Sequence, residues 1–178
     1  MFRKILHYPA EPLKKWCDEY NEADFENTDD LISLATDLID TCNISNGAGL
    51  AANQIGVCKQ MVVIKPSAFG LENPEANGIN DDYLVIINPK IIVQGEDKQK
   101  WSEQCLSVPN LDVNIVRHEN IVLQYKNLKG EMQYVKAGWP FSGGIQHECD
   151  HVLGHTVLDK VDKKLKSFYI KRYYKRNK

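Results

Sequence analysis

His147-Glu148-Cys149-Asp150-His151 sets two histidines four residues apart, with a glutamate directly after the first. On an α-helix, positions i and i+4 share a face, so both imidazoles can reach one metal ion. Glu148 lies about 100° round the helix from His147, close enough to serve a water on that ion without ligating it. A divalent metal makes such a water nucleophilic near neutral pH, and a glutamate can take its proton. The competing explanation is a coincidence of five residues on a polar helix face, with both histidines solvated. A third ligand decides between them. No glutamate follows Glu148, and the longer pattern His-x-x-Gly-x-x-His fails because Val157 stands where the histidine is needed. His155 comes two residues early. Asp159 and Asp162 are the downstream candidates; otherwise the ligand comes from upstream.

Gly47-Ala48-Gly49-Leu50-Ala51-Ala52-Asn53-Gln54 is the second informative stretch. Glycines two apart let a backbone pass close to a substrate or a neighbouring strand. No Gly-x-Gly-x-x-Gly or Gly-Lys-Ser/Thr follows, which excludes a phosphate loop. The third stretch is Glu103-Gln104-Cys105-Leu106-Ser107. Cys105 by itself reads as a buried thiol, like Cys17, Cys42 and Cys58.

In this order and spacing the three stretches resemble the motifs of peptide deformylase, Gly-φ-Gly-φ-Ala-Ala-x-Gln, Glu-Gly-Cys-φ-Ser and His-Glu-φ-Asp-His (φ apolar). Ile5-Leu6-His7, Leu84–Pro89 and Val116-Arg117 are similar too, so the resemblance covers most of the chain. It implies a hydrolase that removes the N-formyl group from nascent chains beginning with formyl-methionine and releases formate. It implies Cys105 as the third ligand beside His147 and His151, and Glu148 as the proton carrier. The Gln54 side-chain amide and the Leu106 backbone N–H would hold the oxyanion. Gly47, Ala48 and Gly49, with the backbone near Cys105, would bind the peptide as an added strand. Iron(II), Fe2+, is the expected native metal, with Zn2+, Ni2+ or Co2+ able to substitute. The other reading is a relative that binds formyl-peptides or a partner without effective catalysis; retention of Glu148 and Gln54 argues against it.

Two departures stand out. Gln104 replaces the family's glycine, so either a side chain narrows the cleft or the backbone needs a positive φ that glycine takes easily. Gly143 and Gly144 stand where relatives carry bulkier residues. Either the helix starts late, or the pair leaves more room for the substrate's first side chain. Arg117 is expected to pair with Glu103 or Asp150; the competing role is a surface arginine.

The elements that must position these groups follow from patterning. Leu13, Trp16, Cys17 and Tyr20 suggest a helix after Pro12, and Leu31 to Cys42 a stronger one capped by Thr28 or Asp29. Met61–Ile64, Leu84–Ile87, stopped by Asn88-Pro89, and Ile91–Val93 read as strands. Pro66 to Asp82 reads as a surface loop and Gly95 to Lys100 as a polar turn. Ile121–Tyr125 and Met132–Val135 make a hairpin. Pro140 opens the helix carrying His147, and Gly154 ends it. Cys149 points away from the two histidines, toward the core. Short, mainly antiparallel strands around a central helix, with helices toward both ends, define an α+β class.

One domain spanning 1–178 suits this length. The first residues lack a signal-peptide pattern, no apolar run reaches membrane length, and five cysteines without disulfide-like spacing suggest a reducing cytoplasm. Charge is uneven: +8 from Lys160 onward and −10 before it. Val161, Leu165, Phe168 and Arg172 or Tyr173 suggest an amphipathic helix over about 160–175. Its basic face is expected to dock on ribosomal RNA or protein; a solvated surface is the plain alternative.

Overall fold

The computed structural model describes residues 1–75 and 78–177. Residues 76 and 77 of the expected 66–82 loop, and Lys178 of the basic tail, lie outside the described residues. Helix α1 (Asp29–Ile44) starts after Thr28, although no side chain closes that cap. Leu31, Ala35, Leu38, Ile39 and Cys42 are buried along one stripe, as their spacing requires.

Upstream, the same kind of spacing misleads: Leu13 to Tyr20 is not a helix. Glu11–Lys14 makes one 3-10 turn, and Trp16 is 71% exposed. Cys17 N–H donates to Val152 O and Asp18 N–H to Cys58 O. Distant backbone partners therefore take the donors that a local helix would have used.

The strands are β1 (Gly49–Ala51), β2 (Met61–Ile64), β3 (Leu84–Gln94), β4 (Lys98–Cys105), β5 (Val108–His118), β6 (Ile121–Lys126) and β7 (Met132–Ala137). They form an antiparallel five-stranded sheet in the order β1-β2-β3-β6-β7 and a separate β4–β5 hairpin. Asn88-Pro89 does not stop a strand: β3 continues through it, with its register shifted between Ile87 and Lys90. A bulge there removes the need for the N–H that proline lacks. Asn88 takes φ 50° and exchanges hydrogen bonds with both backbone groups of Tyr20. Only residues 95–97 remain of the expected 95–100 turn, because β4 begins at Lys98.

Helix α2 (Phe141–Val152) follows Pro140, and Gly154, at φ 77°, ends it. The large sheet lies between α1 and α2. Met61 and Val63 of β2 pack with the α1 side, whereas Val62 and Ile64 pack with the α2 side. This is the two-residue alternation of a strand buried on both faces. Helix α3 (Lys163–Arg176) closes the chain over β5. Its buried face keeps only part of the expected stripe, Tyr173 and, just ahead of the helix, the half-buried Val161. Tyr169 and Tyr173 are buried, while Leu165 and Phe168 are 44% and 54% exposed. Tyr169 Oη accepts from Asn114 N–H, and Tyr173 O–H donates to Tyr8 O. Tyrosine can bury its ring and still satisfy a polar tip at such a boundary. The architecture is α+β.

Candidate active site

Residues 101, 103 and 105 alternate inward along β4, while 102 and 104 face solvent. The inward positions are Trp101, Glu103 and Cys105. Facing them is α2, in which every residue except half-buried His147 is buried. The ligand atoms of Cys105, His147 and His151 all lie within 4.8 Å of one another. His151 Nε2 is 3.2 Å from Cys105 Sγ. Burial, reinforced by the charges of His147 and Arg117, holds His151 well below the usual imidazole range. Neutral imidazole is the form that ligates metals. One thiol and two imidazoles at this spacing fit a three-ligand catalytic metal site with a fourth position open. Asp159 and Asp162 are engaged elsewhere: Asp159 with Thr156 and Lys166, and Asp162 at the N-terminus of α3.

Glu103 organises the surroundings of that site. Its Oε1 accepts from Trp101 Nε1 (2.7 Å) and Arg117 Nε (2.7 Å). Its Oε2 accepts from Arg117 Nη2 (2.9 Å) and pairs with His147 Nδ1 (2.8 Å). A carboxylate has about four acceptor sites, and all are used. The bond to Nδ1 fixes the His147 ring and leaves Nε2 for a metal. Burial pushes the Glu103 carboxyl up, but Arg117 and then His147 outweigh it and bring it down to about 2. Arg117 also donates Nη1 to Asp150 Oδ2 (2.5 Å), and Asp150 Oδ1 accepts from Lys160 Nζ (3.0 Å). Arg117 thus pairs with both expected carboxylates, tying β5 to β4 and α2.

Glu148 is buried, its Oε2 has no hydrogen-bond partner among the described residues, and burial raises its carboxyl to about 7. A Cβ on Gly49 would sit 2.6 Å from Glu148 Oε1. Glycine at 49 therefore leaves the space that the carboxylate fills. Gln54 Oε1 accepts from Ala51 N–H, which turns Nε2 toward Ser107 Oγ (3.0 Å) and Cys105 Sγ (3.9 Å). Asn53 Nδ2 donates to His151 O. Cys149 packs in the core on the α2 side of the sheet.

A cavity of about 880 Å³ opens over these groups. Gly47, Ala48, Gly49, Gln54, Gln104, Cys105, Leu106, Gly144, His147 and Glu148 are all on its wall. β1 is an edge strand beside it, and an unpaired edge can accept an added strand. Gln104 is not among the positive-φ residues. Its side chain reaches out of a bulge between Glu103 and Cys105 to donate to Asp112 Oδ1 (2.8 Å).

Helix α2 begins at Phe141, ahead of both glycines, so the expected late start does not occur, although the two lie in the first turn and not deep in the helix. Neither leaves empty space. A Cβ at Gly144 would meet Phe69 Cε1 at 2.9 Å, and one at Gly143 would meet Trp139 Cζ3 at 2.9 Å and Trp101 Cζ2 at 3.1 Å. Gly143 therefore sits behind the indoles, off the cavity wall. Sequence reasoning missed Phe69, Trp101, Ser107 and Arg176 on or beside this site. The alternation Trp-x-Glu-x-Cys could have exposed Trp101; nothing local marks Phe69 or Arg176, which arrive from a loop and the tail.

The family model described as polypeptide deformylase matches residues 2–167. The peptide deformylase of Campylobacter jejuni is 34% identical, over 100% of this chain and 97% of its own. That of Aquifex aeolicus is 35% identical, over 98% and 96%. The crystal structure of peptide deformylase from Ehrlichia chaffeensis superposes with a TM-score of 0.80 at 32% identity, covering 100% of this chain and 98% of that one. Its complex with actinonin gives 0.82 at 31%, covering 98% and 97%.

Proposed function

We propose a division of labour among the site residues from one premise: the chain belongs to the polypeptide deformylase family. It is a metal-dependent hydrolase that removes the N-formyl group from formyl-methionyl polypeptides, releasing formate. Cys105, His147 and His151 would hold one divalent ion, with iron(II) as the native metal and zinc, nickel or cobalt as substitutes. Such an ion supplies Lewis acidity toward the formyl oxygen and lowers the pKa of a water.

The peptide lies along Gly47–Gly49 on one side and the β4 end near Gln104 on the other, in extended form. Glu148 takes a proton from the attacking water. A carboxyl raised toward neutrality is well matched to taking that proton and then giving it to the departing amine. Gln54 Nε2, aimed by the Ala51 N–H on its oxygen, and the Leu106 N–H donate to the oxyanion. The observation that carries this reading is the buried, unpartnered Glu148 oxygen beside the Cys105–His147–His151 cluster. A relative that merely bound peptides would have no use for a desolvated carboxylate there. The test is formate release from formyl-Met-Ala-Ser by anaerobically prepared, iron-loaded protein. No release above the metal-free control overturns it.

The substrate places the enzyme in the cytoplasm, beside emerging chains. Helix α3 supports contact with the ribosome: Leu165 and Phe168 stand exposed among Lys164, Lys171 and Lys175. Removing the tail is a poor test, because Tyr173 is buried and Arg176 reaches the cavity rim. Lys164→Gln, Lys171→Gln and Lys175→Gln together should weaken low-salt co-sedimentation with ribosomes, since phosphate contacts are salt-sensitive. Unchanged sedimentation would leave α3 as solvated surface.

A further inference from the structure

The end of α3 reaches the substrate cavity through a bulge in β5. Glu103 pairs with Val113 and Cys105 with Val108, so Pro109 to Asp112 stand opposite Gln104 alone. These surplus residues form part of the cavity mouth, a place where bulges commonly re-aim side chains. Asn110 turns the bulge with φ 61°. It is held from both sides. Gln104 Nε2 donates to Asp112 Oδ1 (2.8 Å) on one side. On the other, Asn177 Nδ2 donates to Pro109 O (3.1 Å), Asn110 Nδ2 to Asn177 Oδ1 (2.9 Å) and Arg176 Nη1 to Asn110 O (2.8 Å).

The last of these bonds sets a charge at the mouth. Arg176 is exposed and lines the cavity beside Asn110, Leu111 and Asp112. A guanidinium carries a fork of N–H donors. Among the described residues Nη1 alone meets an acceptor, and that acceptor is a neutral carbonyl. The anchor orients the fork and leaves its other donors for an incoming carboxylate. The cavity floor is buried, at Cys105 and Glu148, whereas Gln104, Asp112 and Arg176 at the mouth are exposed. A formyl group on the floor therefore puts later residues of an extended peptide at the mouth, at about 3.3–3.6 Å per residue.

We infer that Arg176 is a specificity-determining residue that favours substrates with an acidic side chain at the second or third position. The direction in which the peptide runs rests on the deformylase reading. Asp112 works against the preference only through space, in a mouth where water and salt screen repulsion, and one of its oxygens is committed to Gln104. The guanidinium adds directed, charge-assisted hydrogen bonds, and these decide the sign. The bulge is what brings the two ends of the recognition together: without Pro109 to Asp112 the tail would have nothing to clasp at the mouth.

The test compares nickel-loaded wild type, Arg176→Gln, Arg176→Lys and Arg176→Glu on formyl-Met-Xaa-Ala and formyl-Met-Ala-Xaa, with Glu, Gln or Lys as Xaa. The peptides end in amides, so the Xaa side chain supplies the only charge that varies. The readout is the ratio of kcat/KM for Glu over Gln within each protein, which a general loss of folded or metal-loaded enzyme does not move. Wild type should favour Glu about threefold at one of the two positions, as an exposed ion pair can. In about 1 M salt, where the screening length is about 3 Å, the ratio should fall toward one. Arg176→Lys should keep part of the preference, Arg176→Gln should lose it, and Arg176→Glu should turn it toward Lys. A wild-type ratio of one at both positions, or an unchanged ratio in Arg176→Gln, overturns the role of Arg176 and leaves the deformylase reading standing. Formate release from none of the peptides would sink that reading, and the role of Arg176 with it.

Discussion

Helices α2 and α3 are similar in length, 12 and 14 residues, and opposite in their relation to water. In α2 nearly every side chain is buried, polar ones included, whereas α3 buries only Tyr169 and Tyr173. Polar groups on α2 are held by named partners: Gln146 by His118 and Ser142, Asp150 by Arg117 and Lys160, His147 by Glu103. Among the described residues His151 Nδ1 is left without a partner, and the carboxylate orphan is Glu148 Oε2. On α3 most charges face water, and Lys166 pairs with Asp159 at the half-exposed edge. The difference teaches that burial, more than residue type, decides what a charge is worth here.

The largest effect should come from that orphan. Glu148→Ala should lower kcat by ~10²–10⁴-fold, the usual worth of general acid–base catalysis, while metal content by atomic absorption stays at the wild-type level. Metal falling in step with activity would make Glu148 a ligand and remove the contrast with the paired groups around it.

Next come the ion pairs. Arg117, 4% exposed, serves two buried carboxylates. Arg117→Met leaves Glu103 with only Trp101 and His147, and Asp150 with only Lys160, and should destabilise the fold by ~3–5 kcal/mol in urea titration. Lys166 on α3 pairs with Asp159 at side-chain exposures of 36% and 24%, so Lys166→Met should cost only ~0–1 kcal/mol. Comparable losses would mean that burial is not the deciding variable.

Acid should probe the buried pair directly. The Glu103 carboxyl is lowered from 4.5 to about 2 in the fold. A depressed folded-state pKa gives stability that is complete above the unfolded value and lost as pH falls through the folded one. The urea midpoint should therefore drop between about pH 4.5 and 2 for wild type. In Glu103→Gln that component of the drop should disappear. A parallel pH profile in the two proteins would contradict the Arg117–Glu103 assignment.

How much of this was legible in the sequence follows the same division. The α2 face could be read because its residue types are chemically dense: two histidines and a glutamate at helical spacing admit few explanations. Cys105 could not be derived from spacing and needed the resemblance, since a lone cysteine is usually core. The double role of Arg117 was half-legible; two carboxylates were in view, and only the fold shows that its fork reaches both. Where the sequence misled, a long-range partner had replaced a local one. Residues 13–20 lost their helix to backbone bonds with Val152 and Cys58. Asn88-Pro89 kept its strand because a bulge absorbed the proline. Gly143 and Gly144 were read as extra room for a substrate side chain, but rings from β4, the stretch just before α2 and the 66–82 loop take that space.

The tail supplies the small effects. Asp162 Oδ1 accepts from the N–H groups of Lys164 and Leu165 and caps α3. Asp162→Ala should cost ~1 kcal/mol, as lost N-caps do, visible as a lower thermal midpoint.

Smallest of all should be Leu165→Ser and Phe168→Ser. Periodicity alone puts both in an apolar stripe, where truncation to a small polar residue would cost several kcal/mol through lost transfer energy and a cavity. The structure keeps Tyr173 of that stripe buried, beside Tyr169, and leaves these two outside. Phe168 keeps only an edge-on contact with its neighbour Tyr169, at 5.5 Å between centroids. Half-exposed apolar atoms have little left to lose, so each change should stay within about 0.5 kcal/mol of wild type. Tyr173→Ser, on the buried face, is the internal control: it removes a packed ring and the hydrogen bond to Tyr8 O. It should therefore cost several times more than either exposed change. Equal costs at 165, 168 and 173 in one urea series would restore the periodic stripe and reverse the orientation of α3.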